Sequence, residues 1–263
     1  MTAYDDFAAL HRHGAPLLLP NAWDHASAAA LAARGFPAVG TTSLGVAAAA
    51  GLPDGHAATR EATLALAARL GGEGFLVSVD AEGGFSDDPD EVADLARELA
   101  GAGAVGVNLE DGRGDGTLAP AELHAAKIAA VKAAVPGLFV NARTDTYWLG
   151  LPLDVRHSET TARLMEYQEA GADGVFVPGL IDPAGIGAQV AAVEVPLNIL
   201  YSPEGPPMRE LAALGVRRVS LGSLLYRRAL GEAVASAVAI REGRPLTPLT
   251  PGAPTYAEVQ ALS

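Results

Sequence analysis

The 263-residue chain contains no cysteine. A disulfide framework, a thiolate zinc site and a cysteine nucleophile are therefore excluded. Positive charge is scarce as well: 18 Lys and Arg stand against 31 Asp and Glu, a formal net charge of −13. That balance lacks the phosphate-neutralising footprint of a nucleic-acid binder; the acids, spread along the chain, serve solubility. Long apolar runs are missing too. No window of about twenty residues is apolar without a charge, so no membrane span is expected. The opening segment, MTAYDDFAALHRHG, carries acids where a secretory signal needs basic residues and an apolar stretch. The expectation is a cytoplasmic protein that partners neither membrane nor nucleic acid. The histidines (His11, His13, His25, His56, His124 and His157) form no HxH, HExxH or Ser-His-Asp set, and most are expected on the surface. His56 alone lies near a candidate site residue, Asp54.

Apolar residues make up 49% of the chain, with alanine dominant. Short β-like runs alternate with longer Ala/Leu-rich stretches at helical spacing. Eight runs read as strands, at 17–19, 38–42, 75–80, 105–110, 138–143, 175–177, 197–200 and 218–221. Helices are expected at 89–100, 121–135 and 158–170, and glycines 35, 103, 171 and 215 mark helix ends. Repeated βα units with near-continuous apolar strands imply an α/β protein with a parallel sheet buried on both faces. Eight units in this length match a closed (β/α)8 TIM-type barrel. An open doubly-wound sheet would need a phosphate-binding glycine fingerprint, which GTTSLG does not supply. One barrel domain over 1–243 is expected, followed by a Pro/Thr-rich tail at 244–263 whose first part, RPLTPLTPGAP, cannot be a helix interior. Two Gly-containing loops, 44–55 and 112–117, fall at the C-terminal face of the barrel, where such enzymes keep their sites.

The chemistry sits at the strand ends. FLVSVD runs into Asp80-Ala81-Glu82, VGVNLED into Glu110-Asp111, and LFVNARTD into Arg143-Thr144-Asp145. Carboxylates and an arginine at adjacent buried strand ends suggest a divalent cation beside an anionic substrate. A hard cation such as Mg²⁺ takes oxygen ligands and keeps several waters. Asp80 as direct ligand, with Glu82 and Glu110 through water, fits that habit; helix caps and surface ion pairs are the alternative for these acids. A buried Arg143 needs an anion, either a substrate carboxylate or simply Glu110 or Asp145. Thr42, Ser43, Leu44 and Gly45 end the second strand with backbone N–H groups able to hold a carboxylate. Asp54, in GLPDG, reads as a turn residue when taken alone. Trp23 either covers the pocket floor or packs in the core, and Asn198 faces inward if PLNIL is the seventh strand.

The segments PNAWDHASA, GTTSLGVAAAAGLPDG, VSVDAEGGF, GVNLEDG, NARTD and AGADGVFVPG together resemble the isocitrate lyase/phosphoenolpyruvate mutase superfamily, over residues 10–243. The resemblance implies a barrel whose last helix is exchanged between subunits, a homotetramer built as a dimer of dimers, and Mg²⁺, with Mn²⁺ as a substitute. It implies a small 2-oxo acid, such as oxaloacetate, 2-oxoglutarate or pyruvate, or its enolate, as ligand. Carried across by position, Thr42, Ser43 and Leu44 resemble the segment binding the oxo-acid carboxylate. Asp80 resembles the direct Mg²⁺ ligand, and Asp54, Glu82 and Glu110 its water-mediated partners. Arg143 resembles the arginine at the reacting end of the substrate.

Departures from the family pattern are as informative. The lyases carry a catalytic Cys in the loop after the fourth strand, where this chain has GRGDGT. The mutases and phosphonopyruvate hydrolases place Lys and Asn there; here only Arg113, Asp115 and Thr117 are polar. Gly40 replaces a tyrosine of the lyases, Pro178 replaces a His or Glu, and Asn198 falls two residues before the family's strand-seven asparagine. The expected function is a Mg²⁺-dependent lyase or decarboxylase acting on a small 2-oxo or 2-hydroxy (di)carboxylate through an enolate. Arg143, Asp54 and Glu110 are its candidate catalytic groups, and Thr42, Ser43, Leu44, Gly45, Asp80, Arg143, Asn198 and Trp23 its candidate substrate contacts. The alternatives are C–P chemistry on phosphonopyruvate and a non-catalytic 2-oxo-acid-binding protein. Without the Cys, isocitrate and methylisocitrate cleavage should be slow or absent.

Overall fold

A computed structural model describes residues 2–12, 14–245 and 252–262. Its strands are β1 (Leu17–Leu19), β2 (Asn21–Ala22), β3 (Ala38–Thr41), β4 (Leu76–Asp80), β5 (Gly106–Glu110), β6 (Phe139–Arg143), β7 (Gly174–Val177), β8 (Leu197–Leu200) and β9 (Arg218–Ser220). Its helices are α1 (Ala3–Ala9), α2 (His25–Ala33), α3 (Ser43–Ala50), α4 (Arg60–Leu70), α5 (Pro89–Gly101), α6 (Ala121–Ala134), α7 (Leu153–Glu169), α8 (Pro183–Ala192), α9 (Met208–Ala213), α10 (Leu224–Arg241) and α11 (Tyr256–Gln260).

All strand pairs are parallel, in the order β1-β9-β8-β7-β6-β5-β4-β3-β2. The two end strands, β1 and β2, are consecutive in the chain and meet at Pro20, so the sheet closes on itself as a (β/α)8 barrel. The strand expected at 17–19 is β1, and an unexpected short strand, β2, follows Pro20, which offers no N–H to a ladder. Leu17–Leu19 pairs with β9 and Asn21–Ala22 with β3, while the Pro20 carbonyl still accepts from Gly40 N at 2.8 Å. The other expected strands match within a residue or two at each end. The glycines expected at helix ends, Gly35, Gly103, Gly171 and Gly215, all have positive φ.

Two expectations need correction. Residues 44–50 are not loop but helix α3: alanine-rich Val46–Ala50 has high helix propensity, Thr42 stands at the N-cap, and Gly51 at φ +70° ends it. Helix α7 begins at Leu153, five residues before the expected start at 158. Of the described histidines, His56 and His157 are exposed and His25 is partly exposed, as expected of most, whereas His11 and His124 are buried. His11 stacks on Phe139 at 4.5 Å, and His124 meets Tyr167 edge-on at 4.7 Å. Their polar atoms are shielded by aromatic rings, and burial lowers their pKa values to about 3 and about 4.

Core packing fixes which end of the barrel is open. Phe7 and His11, from α1 and the turn after it, close the N-terminal end against Phe139. The larger apolar layer lies between the strands and α4, α5 and α6 (Leu66, Leu70, Leu95, Leu99, Ile128 and Val131). The C-terminal rim is left for polar residues. Helix α10 differs from the rest: Leu230, Val234 and Ile240 are each more than half exposed. Within the tail, α11 is capped by a reciprocal Thr255–Glu258 pair; residues 246–251 lie outside the described part. Among the described residues no helix is long and apolar enough to cross a membrane.

Candidate active site

The strand ends on the C-terminal rim surround a cavity of about 320 Å³. Helix α3 starts at its edge, and its first N–H, from Ser43, donates to Asp80 Oδ2 at 3.0 Å. The Asp80 N–H donates to Thr41 Oγ1 at 2.8 Å, which fixes the end of β4 against β3. Asp80 Oδ1 is buried without a partner, and so is Asp54 Oδ1 from the turn after α3. Burial raises the Asp54 pKa, offset by a hydrogen bond from the Ser43 side chain and reinforced by the neighbouring Asp80. Two buried carboxylate oxygens that accept nothing are costly unless a ligand completes them.

Arg143, at the end of β6, is clamped from two sides. Its Nη1 lies 2.7 Å from Glu110 Oε2, and Nε and Nη2 donate to the two Asp145 oxygens at 2.6 and 3.0 Å. Burial works against its charge, but Glu110 and Asp145 outweigh it, so its pKa is raised. Glu110 is raised well above the usual carboxylate range and Asp145 is raised too, both chiefly by burial, with Arg143 opposing the shift in each. Arg143 pairs with its own acids and also lines the cavity.

The GRGDGT loop borders this cavity through Arg113 and Gly114. It is closed by a Gly112–Leu118 bridge and anchored by Asp111, which accepts from Arg163 and Tyr167 in the core. Its glycines are required by close approach. A side chain at Gly112 would lie 2.2 Å from Asp145 Oδ2, and one at Gly114 would lie 2.6 Å from both Gly55 O and His56 Nδ1. Arg113 pairs with Asp87 at 2.7 Å, whereas Asp115 and Thr117 bond each other in the open.

Of the expected site residues, Thr42, Ser43, Leu44, Asp54, Asp80, Glu110 and Arg143 line the cavity, and His56 borders it. Gly45, Glu82, Trp23 and Asn198 do not. Gly45 lies under Thr42 and the Trp23 backbone-proximal carbon, where no side chain fits. Trp23, half-buried, packs edge-on against Tyr226 at 5.5 Å. Glu82, at φ +48°, turns into an adjoining hollow that Glu110 also lines; Thr59 Oγ1 and Ala57 N donate to it at 2.5 and 3.1 Å. Asn198 sits deeper, bonded to Ser220. Asp145, named from the sequence as a partner for Arg143, also lines the cavity, as do Asn21, Asn108 and Ser220, which were not singled out. Beneath them the fully buried Arg218 donates to Asn108 Oδ1 at 3.2 Å. A signal for some of them existed: Asn108 and Asn141 each stand two residues before a charged strand end, on the same inward face.

The oxygen-only donor set and the two unsatisfied aspartate oxygens fit a hard divalent cation. Among the described residues no three acids or histidines converge as a direct cage. A cation here would hold one or two carboxylates and complete its shell with water, which is how Mg²⁺ usually binds.

Residues 7–241 match the family model described as Phosphoenolpyruvate phosphomutase. The chain belongs to this family. Among the phosphoenolpyruvate phosphomutase family's members, an uncharacterized protein of Mycobacterium tuberculosis is 46% identical over 258 residues, covering 97% of this chain and 95% of that one. An oxaloacetate decarboxylase of Ectopseudomonas mendocina is 32% identical over 192 residues, covering 68% of this chain and 64% of that one. A crystal structure from Burkholderia cenocepacia J2315, provisionally named a lyase/mutase, superposes with a TM-score of 0.89 at 36% identity, covering 98% and 94% of the two chains. Like these family members, the protein is an enzyme of the lyase/mutase type acting on a small carboxylate.

Proposed function

We propose that the protein is a Mg²⁺-dependent lyase or decarboxylase that acts on a small 2-oxo or 2-hydroxy (di)carboxylate. The observation that carries this is the pair of unpartnered buried oxygens, Asp54 Oδ1 and Asp80 Oδ1, beside the Arg143 guanidinium and the start of α3. Asp80 would hold Mg²⁺ directly, or Mn²⁺ in its place, with Asp54 and Glu110 through water and Glu82 from the adjoining hollow. When bound, the cation supplies Lewis-acid withdrawal of charge from the 2-oxo oxygen.

The chain's own groups do the rest. The next N–H groups of α3, from Leu44 and Gly45, with the Thr42 hydroxyl, receive the C1 carboxylate, and the helix dipole favours its charge; the Ser43 N–H and hydroxyl are held by Asp80 and Asp54. Arg143 orients the reacting end, and its clamp by Glu110 and Asp145 pre-organises that contact. In decarboxylation the C3–C4 bond breaks, CO₂ leaves, and the electron pair passes through C2–C3 onto the 2-oxo oxygen. A proton from water then restores C3, so no cysteine is needed. Retro-aldol cleavage of a 2-hydroxy-type substrate needs a base for the hydroxyl proton; Asp54, whose pKa burial raises, is the candidate. Helix α10, with Leu230, Val234 and Ile240 exposed, supports a homotetramer in which this helix packs on a second subunit.

The test is to incubate the purified protein with Mg²⁺ and oxaloacetate, isocitrate, methylisocitrate or phosphonopyruvate, following products by NMR with and without EDTA. Chelator-sensitive turnover of a carboxylate substrate is expected. Turnover of phosphonopyruvate alone would replace this reading with C–P chemistry. Saturable binding without any product would make it a 2-oxo-acid-binding protein.

A further inference from the structure

Across the cavity from Thr42, Ser43 and Asp80, the wall changes character. Phe176 comes from β7, Pro178 follows it, and Leu200 ends β8. Trp148 and Leu149, from the turn after β6, complete this side. In strand register Phe176 is the neighbour of Arg143, and the guanidinium carbon lies 5.7 Å from its ring centre. The boundary between the polar and apolar halves therefore falls just beyond the group expected to hold the reacting end of the ligand.

No cation serves the apolar half. Among the described residues lining the cavity, the arginines are Arg143, already clamped by two acids, and Arg113, paired with Asp87 on the loop wall. A ligand carboxylate reaching past Arg143 would be desolvated against Phe176 and Leu200 with no cation to pair it. An alkyl group in the same place would gain by burial. Trp148 points the same way: its indole, 58% exposed, stands at the mouth and offers apolar surface to cover such a group.

Resting on the oxo-acid reading above, we infer that the substrate carries an alkyl substituent beyond C2 and no carboxylate placed past C4, the position that the clamped Arg143 serves. It is an alkyl-substituted 2-oxo or 2-hydroxy acid, and an unbranched tricarboxylate does not fit.

Calorimetric titration of the full-length protein with Mg²⁺ present tests this. The probes are oxalate for the head alone, then pyruvate, 2-oxobutanoate and 2-oxopentanoate, with 2-oxoglutarate as the chain ending in a carboxylate. Each added methylene should tighten Kd by about fourfold, the fold-change for burying one CH₂. 2-Oxopentanoate should bind at least roughly tenfold tighter than 2-oxoglutarate, given an unpaired desolvated carboxylate. In Trp148→Ala and Leu200→Ala, 2-oxopentanoate should lose more affinity than oxalate does; the exposed Trp148 is the variant less exposed to folding defects. Oxalate binding with a flat alkyl series, or tighter 2-oxoglutarate, overturns the inference and leaves the proposed function standing. Failure of oxalate itself to bind overturns both.

Discussion

Replacing Arg143 with methionine tests the central electrostatic argument. The side chains of Arg143, Glu110 and Asp145 are 15%, 10% and 5% exposed, so solvent screens this cluster little. Methionine keeps volume but leaves two buried carboxylates without their cation. Breaking a buried pair by deleting one partner costs roughly 3–5 kcal/mol, most of it the stranded charge. Glu110 already titrates above its ordinary range because burial disfavours its charge, and loss of Arg143 removes the main opposing influence. The sign follows. A carboxyl whose folded pKa exceeds its unfolded value binds more protons when folded, so stability falls as pH rises from the unfolded value through the folded one. Arg143→Met should therefore be more damaging at pH 8 than at pH 5. Adding Glu110→Gln and Asp145→Asn should recover much of the loss and flatten the pH dependence. Urea unfolding at both pH values measures it. A cost under about 1 kcal/mol, or a triple variant in which the losses simply add, refutes the reasoning.

Asp80→Ala should abolish Mg²⁺-dependent oxalate binding in calorimetry while the far-UV spectrum is preserved, since the one Ser43 N–H bond it loses is worth about 1 kcal/mol. His11 and His124, held near 3 and 4 by burial, contribute stability that is complete above their ordinary pKa and is lost as pH falls through the folded values. His124→Phe should shift the acid-unfolding midpoint to lower pH by circular dichroism, and an unchanged midpoint counts against the assignment. Isocitrate and methylisocitrate should be cleaved slowly or not at all, because loss of general acid-base help costs about 10²–10⁴-fold; coupled glyoxylate or pyruvate release at ordinary enzyme rates would disprove that. Leu230→Asp with Val234→Asp, both on the exposed face of α10, should dissociate the assembly in light scattering, and an unchanged mass removes α10 from the interface.

Local pattern carried much of this protein. Alternation of β-branched runs with alanine-rich helical stretches settles the barrel, because strands buried on both faces must be continuously apolar and helices between them must be amphipathic. Charges that end those runs, at Asp80, Glu110 and Arg143, gather around one cavity, since parallel strands bring all their C-terminal ends to one rim. Three-dimensional packing decided what local pattern could not. The break at Pro20 depends on which neighbours the strands on either side of it meet, and whether 44–50 is a loop or a helix depends on Thr42 and Gly51 acting as its ends. Whether Arg143 binds its own acids or a ligand was undecidable from spacing, because Glu110 and Asp145 reach it from separate positions on the rim. The turn of Glu82 away from the cavity and the packing of Trp23 outside it follow from backbone angle and a tyrosine two hundred residues away in the chain. The apolar wall of Phe176, Pro178 and Leu200 was invisible for the same reason. Each is an ordinary core residue in its own strand, and only the closure of the barrel sets them together opposite the acids.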